Sequence, residues 1–195
     1  MTSTVRRLRA ESSVLLVIDV QDKLLVKIPT AAALVANAGF LIDVAALHEI
    51  PVLGTEQYPK GLGPTTPELA RRLPPTIPSK TTFSCSGAGT FLEELEMLRR
   101  PNIVLVGMET HVCVAQTALD LIEAGLHVFL PVDALAARVA IDHDTAIRRL
   151  EQAGAVPTTV EAIAFEWTRD AAHPKFKAMS ALVIGRSATR PEVKQ

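Results

Sequence analysis

Three reactive side chains that lie far apart in the chain are the ones able to do chemistry together: Asp19, Lys80 and Cys113. Cys113 follows the aliphatic run Ile103 to Val106 and Gly107, and it enters a helical pattern that includes Val114, Leu119 and Ile122. That order reads as a buried strand turning sharply into a helix. Unpaired amides and the positive dipole end at a helix start favour a thiolate, so Cys113 could be a nucleophile. Asp19 ends the aliphatic run Ser13 to Ile18, and Lys80 closes a short extended segment after Pro74, Pro75 and Pro78. Both therefore have the same structural address, the carboxyl end of a strand, where ligands sit in open α/β sheets. Each residue also has an ordinary use: Cys113 beside Val112 and Val114 as core, Asp19 as a turn cap, Lys80 as a solvated charge.

The elements that must position these residues alternate. After the first strand, a helix is predicted from Thr30 to about His48, with Leu34, Ala38, Leu41 and Ala45 on one face. Pro51 to Thr55 reads as a second strand, which runs into a Pro- and Gly-rich loop from Glu56 to Thr65 suited to substrate contacts. A helix begins near Thr90, behind the small-residue loop that holds Ser84, Cys85 and Ser86. His127 to Asp133 makes a further strand, with Pro131 at its end or at an edge. Asp142 to Ala153 is helical and stops at Gly154, Ala155 to Val160 is the last strand, and a short helix surrounds Ile163 to Trp167. Strands alternating with helices predict a parallel sheet with helices on both faces, and the ends carrying Asp19, Lys80 and Cys113 could meet on one edge.

Composition narrows the function. Of 195 residues 48% are hydrophobic and only 4% aromatic, so one domain with an aliphatic core is expected. A net charge of −1 offers no field for nucleic acid or an anionic membrane, which leaves a small-molecule partner. Two cysteines make no disulfide framework, no apolar run is long enough to span a bilayer, and the start lacks an apolar signal segment. A cytoplasmic protein is expected. Its domain covers residues 13–184, between an Arg-rich solvated tail at 1–12 and a frayed tail at 185–195.

The segments Val17 to Gln21, Lys80 to Ser84 and Val106 to Ala118, taken in that order, resemble the isochorismatase-like cysteine hydrolase superfamily. Pro59 to Pro64, Asp133 to Arg138, Ala153 to Ala155 and His173 to Phe176 resemble, more narrowly, its isochorismatase domain-containing branch. The resemblance implies a six-stranded parallel sheet in a three-layer α/β/α domain, and homo-oligomers. It also implies an Asp-Lys-Cys triad: Cys113 as nucleophile, Asp19 as the acid/base that takes and returns its proton, and Lys80 as the cation holding the pair. A thiolate near an ammonium is stabilised, in keeping with those roles. A cis Met108–Glu109 peptide is implied as well, with the amides of Glu109 and Cys113 forming an oxyanion hole.

Around that triad, Gln21, Tyr58, Phe83, Ser84, Met108 and His111 are the substrate-binding candidates. Arg138 could hold a substrate carboxylate or make a structural ion pair, and Cys85 could line the pocket. Nicotinamidases of the superfamily bind a metal through an Asp-x-His pair, where this chain has Glu56, Gln57 and Tyr58. Neither metal nor cofactor is expected. The expected reaction is hydrolysis of a small amide-like or ester metabolite through a covalent Cys113 acyl-enzyme. Two alternatives stand beside it: vinyl ether hydrolysis by Asp19 without the thiol, and a non-catalytic binding or scaffold role.

Overall fold

The computed structural model describes residues 6–188. Its first half comprises β1 (Ser13–Ile18), α1 (Asp22–Leu25), α2 (Ala31–Leu47), β2 (Val52–Gln57), α3 (Pro59–Leu62), α4 (Pro67–Ala70) and β3 (Ser79–Lys80). The second half comprises α5 (Phe91–Leu98), β4 (Asn102–Met108), α6 (Ala115–Glu123), β5 (His127–Pro131), β6 (Leu135–Ala136), α7 (Ala140–Gln152), β7 (Val156–Thr158), α8 (Val160–Thr168) and α9 (Phe176–Ala188). All strand pairs are parallel, in the order β3-β2-β1-β4-β5-β7, with β6 pairing the end of β4. The expected parallel sheet is thus present with one strand more than the expected six. The addition, Leu135–Ala136, is too short to leave a periodic signal.

Continuous aliphatic runs form β1 and β4 because both of their faces are covered. Leu15, Val17, Val104 and Val106 point into one core, shared with α2, α8 and Met179 of α9. Val14, Leu16, Ile18, Ile103 and Leu105 point into the other, shared with α5, α6 and Leu150 of α7. The result is a three-layer α/β/α domain. No helix among the described residues is long and apolar enough to cross a membrane.

The termini depart from the expected tails. Residues 6–12 lie on the domain: Leu8 is buried, and its amide donates to Glu166 Oε2 at 2.8 Å. At the other end α9, which lacks a clean periodic signal, continues to Ala188 and buries Arg186. The remaining parts of both expected tails, 1–5 and 189–195, lie outside the described residues.

The strand order also locates the site. From β1 the chain moves to β2 and β3 on one side, then crosses to β4 on the other, so the order in which strands are added reverses between β1 and β4. Ligand crevices open at such reversals, beyond the carboxyl ends of the strands. Gly107 allows the two strands to close there. It pairs with Ile18 at φ 128°, and a Cβ at that position would stand 2.1 Å from the Ile18 carbonyl oxygen.

Candidate active site

The strand ends deliver Asp19 and Lys80 to one buried point. Asp19 leaves β1 in a left-handed conformation, φ 54°, and its amide donates to Thr55 O at 3.1 Å. Lys80 arrives from β3, and its Nζ donates to Asp19 Oδ2 at 2.6 Å with both side chains fully buried. Nζ also donates to Gln57 Oε1 at 2.7 Å and to Phe83 O at 3.0 Å. With Thr82 O as a fourth, longer acceptor at 3.4 Å, all three protons of the ammonium are engaged and the cation is fixed in place. The other carboxylate oxygen, Oδ1, accepts from Thr55 Oγ1 at 2.9 Å.

Cys113 lies in a five-residue π-type turn, Thr110–Val114, between β4 and α6. Its carbonyl accepts from Thr117 Oγ1 at 2.7 Å, and that same oxygen accepts the Cys85 amide at 2.9 Å. Thr117 thereby ties the Cys113 turn to the loop after Lys80. The thiol is 6% exposed and lies near enough to Asp19 to feel its charge. The Met108–Glu109 peptide that opens the turn is cis.

The electrostatics differ from the expectation of a stabilised thiolate. Burial first, and then the Asp19 charge, push the Cys113 thiol up to about 12 despite Lys80. The ammonium is committed to the carboxylate, and desolvation outweighs the helix start. Burial likewise raises the Asp19 carboxyl, opposed by Lys80 and by the hydrogen bonds from Cys113 and Thr55. The resting arrangement is a protonated thiol beside an ion-paired carboxylate.

The other expected residues divide. Gln21 is fully buried, and its side chain spends both ends on backbone: Nε2 on Gln57 O at 3.0 Å and Gly63 O at 2.5 Å, Oε1 on Gln57 N at 2.8 Å. Met108 is fully buried against Ile28, Leu34 and Ala136. Neither is placed to touch a ligand, because in each case the surroundings already use the whole side chain. Tyr58 and Phe83 are half exposed, while Ser84 Oγ donates to Asp120 Oδ2 at 2.5 Å. His111 Nε2 lies 3.8 Å from Asp142 Oδ2, and its buried Nδ1 has no hydrogen-bond partner among the described residues. Arg138 makes an ion pair with Glu109, Nε to Oε2 at 2.9 Å.

Sequence reasoning missed Thr55, Gln57 and Thr117. The first two had a findable signal, since Thr55 pairs in register with Ile18 and Gln57 with Lys80. Cys85 is buried at the same point, its Sγ 3.4 Å from Thr55 Oγ1. Among the described residues no three His, Cys, Asp or Glu side chains group as metal ligands.

A buried acid-lysine pair and a cysteine turn at the switch point of a parallel sheet define a class, and the comparisons agree with it. The Isochorismatase domain model matches residues 13–162, and the chain belongs to this isochorismatase-like hydrolase family. It is 40% identical over 179 residues to isochorismatase domain-containing protein 2A of Mus musculus, a match covering 91% of this chain and 85% of that protein. Among solved structures, the MAR1 ribonuclease from Caenorhabditis elegans superposes with a TM-score of 0.87 at 37% identity, over 97% of this chain and 100% of that one. The YcaC gene product from Escherichia coli, an octameric hydrolase of unknown specificity, superposes with a TM-score of 0.81 at 25% identity, over 97% and 100%.

Proposed function

We propose that this protein is a cysteine hydrolase that cleaves a small amide-like or ester metabolite through a covalent Cys113 intermediate. The observation that carries the reading is the buried Asp19 carboxylate, held by Lys80 at 2.6 Å and close enough to the Cys113 thiol for its charge to raise it. A thiol at about 12 is a poor nucleophile alone, so a base in contact with it is the chemical requirement that Asp19 meets.

In this mechanism Asp19 takes the thiol proton as sulfur bonds to the carbonyl carbon. The amides of Glu109 and Cys113 receive the oxyanion that forms. Collapse expels the amine or alcohol, which leaves with the proton from Asp19. Water then adds to the thioester, giving its proton to Asp19, and the acid departs as the thiol is restored. Lys80 keeps the carboxylate oriented throughout. Tyr58, Phe83, Ser84 and His111 remain the substrate contacts, with no metal or cofactor.

Cys113→Ala is expected to lower hydrolysis of small carboxamides and esters by about 10³-fold or more. Wild type trapped during turnover is expected to carry the acyl mass on Cys113. Full activity in Cys113→Ala would falsify the covalent route. The raised Asp19 carboxyl also supports a second reading, in which it protonates a vinyl ether directly. Isochorismate hydrolysis that survives in Cys113→Ser would select that reading.

The Caenorhabditis elegans relative is named as a ribonuclease, so RNA belongs in the same assay. The triad side chains, at most 6% exposed, favour a small substrate over a phosphodiester chain. RNA cleavage lost in Cys113→Ala would reverse that preference. Assembly into a homo-oligomer and a cytoplasmic location complete the proposal.

A further inference from the structure

Away from the sulfur, the first half of α2 and the segment 132–143 enclose a cavity of about 340 Å³. Its walls are largely aliphatic, with Leu34, Val132, Leu135 and Ala136 among them. Two polar floor residues are satisfied within the protein. Asn37 donates to Asp133 O and accepts from Arg186 Nε at 3.0 Å, while the Asp133 carboxylate takes the Val160 amide and Arg186. These two residues leave no ligand for a metal on the floor, so the body of an occupant must be apolar.

Two other lining residues retain unused capacity. Arg138 spends Nε and its backbone amide on Glu109, and its Nη1 and Nη2 meet no acceptor among the described residues. His143 uses Nδ1 on Thr110 Oγ1 at 2.9 Å, and its Nε2 has no partner among them. Both residues line the cavity and both hold the turn that carries Cys113, through Glu109 and Thr110. A guanidinium with two free in-line donors is suited to a second carboxylate.

We propose that this cavity binds a small organic carboxylate with a short aliphatic or aromatic body, and that its occupancy is transmitted to the Cys113 turn through Arg138–Glu109 and His143–Thr110. A ligand sharing Arg138 loosens its hold on Glu109, which exposes a sulfur now almost closed off. The inference does not rest on the hydrolase reading, because its test needs no turnover.

The probes are benzoate and hexanoate, with benzyl alcohol and hexanol as uncharged controls, added to the full-length protein. Saturable binding of the carboxylates at about millimolar concentration is expected by calorimetry. The rate at which iodoacetamide labels Cys113, read by peptide mass spectrometry, is expected to rise by about fivefold on saturation. Ala33→Trp, at an exposed position lining the cavity, is expected to abolish both effects, with folding verified by its melting curve. Arg138→Gln is expected to leave the alcohols and carboxylates equal. Absence of saturable binding, binding that persists in Ala33→Trp, or an unchanged labelling rate at saturation would each overturn the proposal.

Discussion

At Asp19, Lys80 and Cys113 the balance is between desolvation and pairing. With its ammonium surrounded by acceptors, Lys80 holds a carboxylate that burial would otherwise protonate. Lys80→Met is therefore expected to cost about 3–5 kcal/mol at neutral pH, read by urea unfolding. Removing the cation raises the folded-state Asp19 further. Its stabilising contribution is then present below the unfolded pKa and lost as pH rises through the folded one, so the Lys80→Met deficit shrinks on acidification. In the proposed mechanism the wild type needs the base form of Asp19, and burial raises its carboxyl. kcat/KM is therefore expected to fall on the acid side from a pH above the ordinary carboxylate range. With the thiol at about 12, Cys113 alkylation without substrate is expected to keep climbing by about tenfold per pH unit past pH 9, where an ordinary thiol levels off.

Among the elements, β4 and the turn after it carry the tightest constraint. Gly107 occupies a conformation that L residues rarely adopt, and the atom facing its missing Cβ is backbone, which cannot swing aside. Gly107→Ala is expected to lose about 3 kcal/mol or more, or to fail to accumulate as soluble protein, measured by yield and melting temperature. The turn itself is cross-braced. Glu109 O accepts the amides of Val112 and Val114, and Thr117 joins the turn to Cys85. Cys113 is thus fixed from its own strand, from α6 and from the loop behind Lys80, a degree of fixation that sites on rigid elements need.

For the whole molecule, strand order rather than any local motif makes the site, since the crossover after β3 places β4 beside β1, on the side away from β2 and β3. Val139, Ile141, Phe165 and Ile184 remain exposed on the single chain, surface that self-association would cover. Light scattering is expected to give a multiple of 21.0 kDa, and a mass of one chain would refute the oligomer. Much of this was legible beforehand. Continuous aliphatic runs specify strands buried on both faces, and the Pro, Gly and apolar spacing between them specifies helices and loops, because those signals are local. By itself the sequence therefore determined the parallel α/β/α layering and the strand-end addresses of Asp19, Lys80 and Cys113. Only the tertiary structure decided the rest: that Lys80 is consumed by Asp19, that Gln21 and Met108 are buried away from any ligand, and that Thr55 and Thr117 brace the site. It also raised the thiol instead of lowering it. Pairing partners and the dielectric around a charge depend on segments distant in the chain, and spacing along the polymer carries no record of which atoms exclude water.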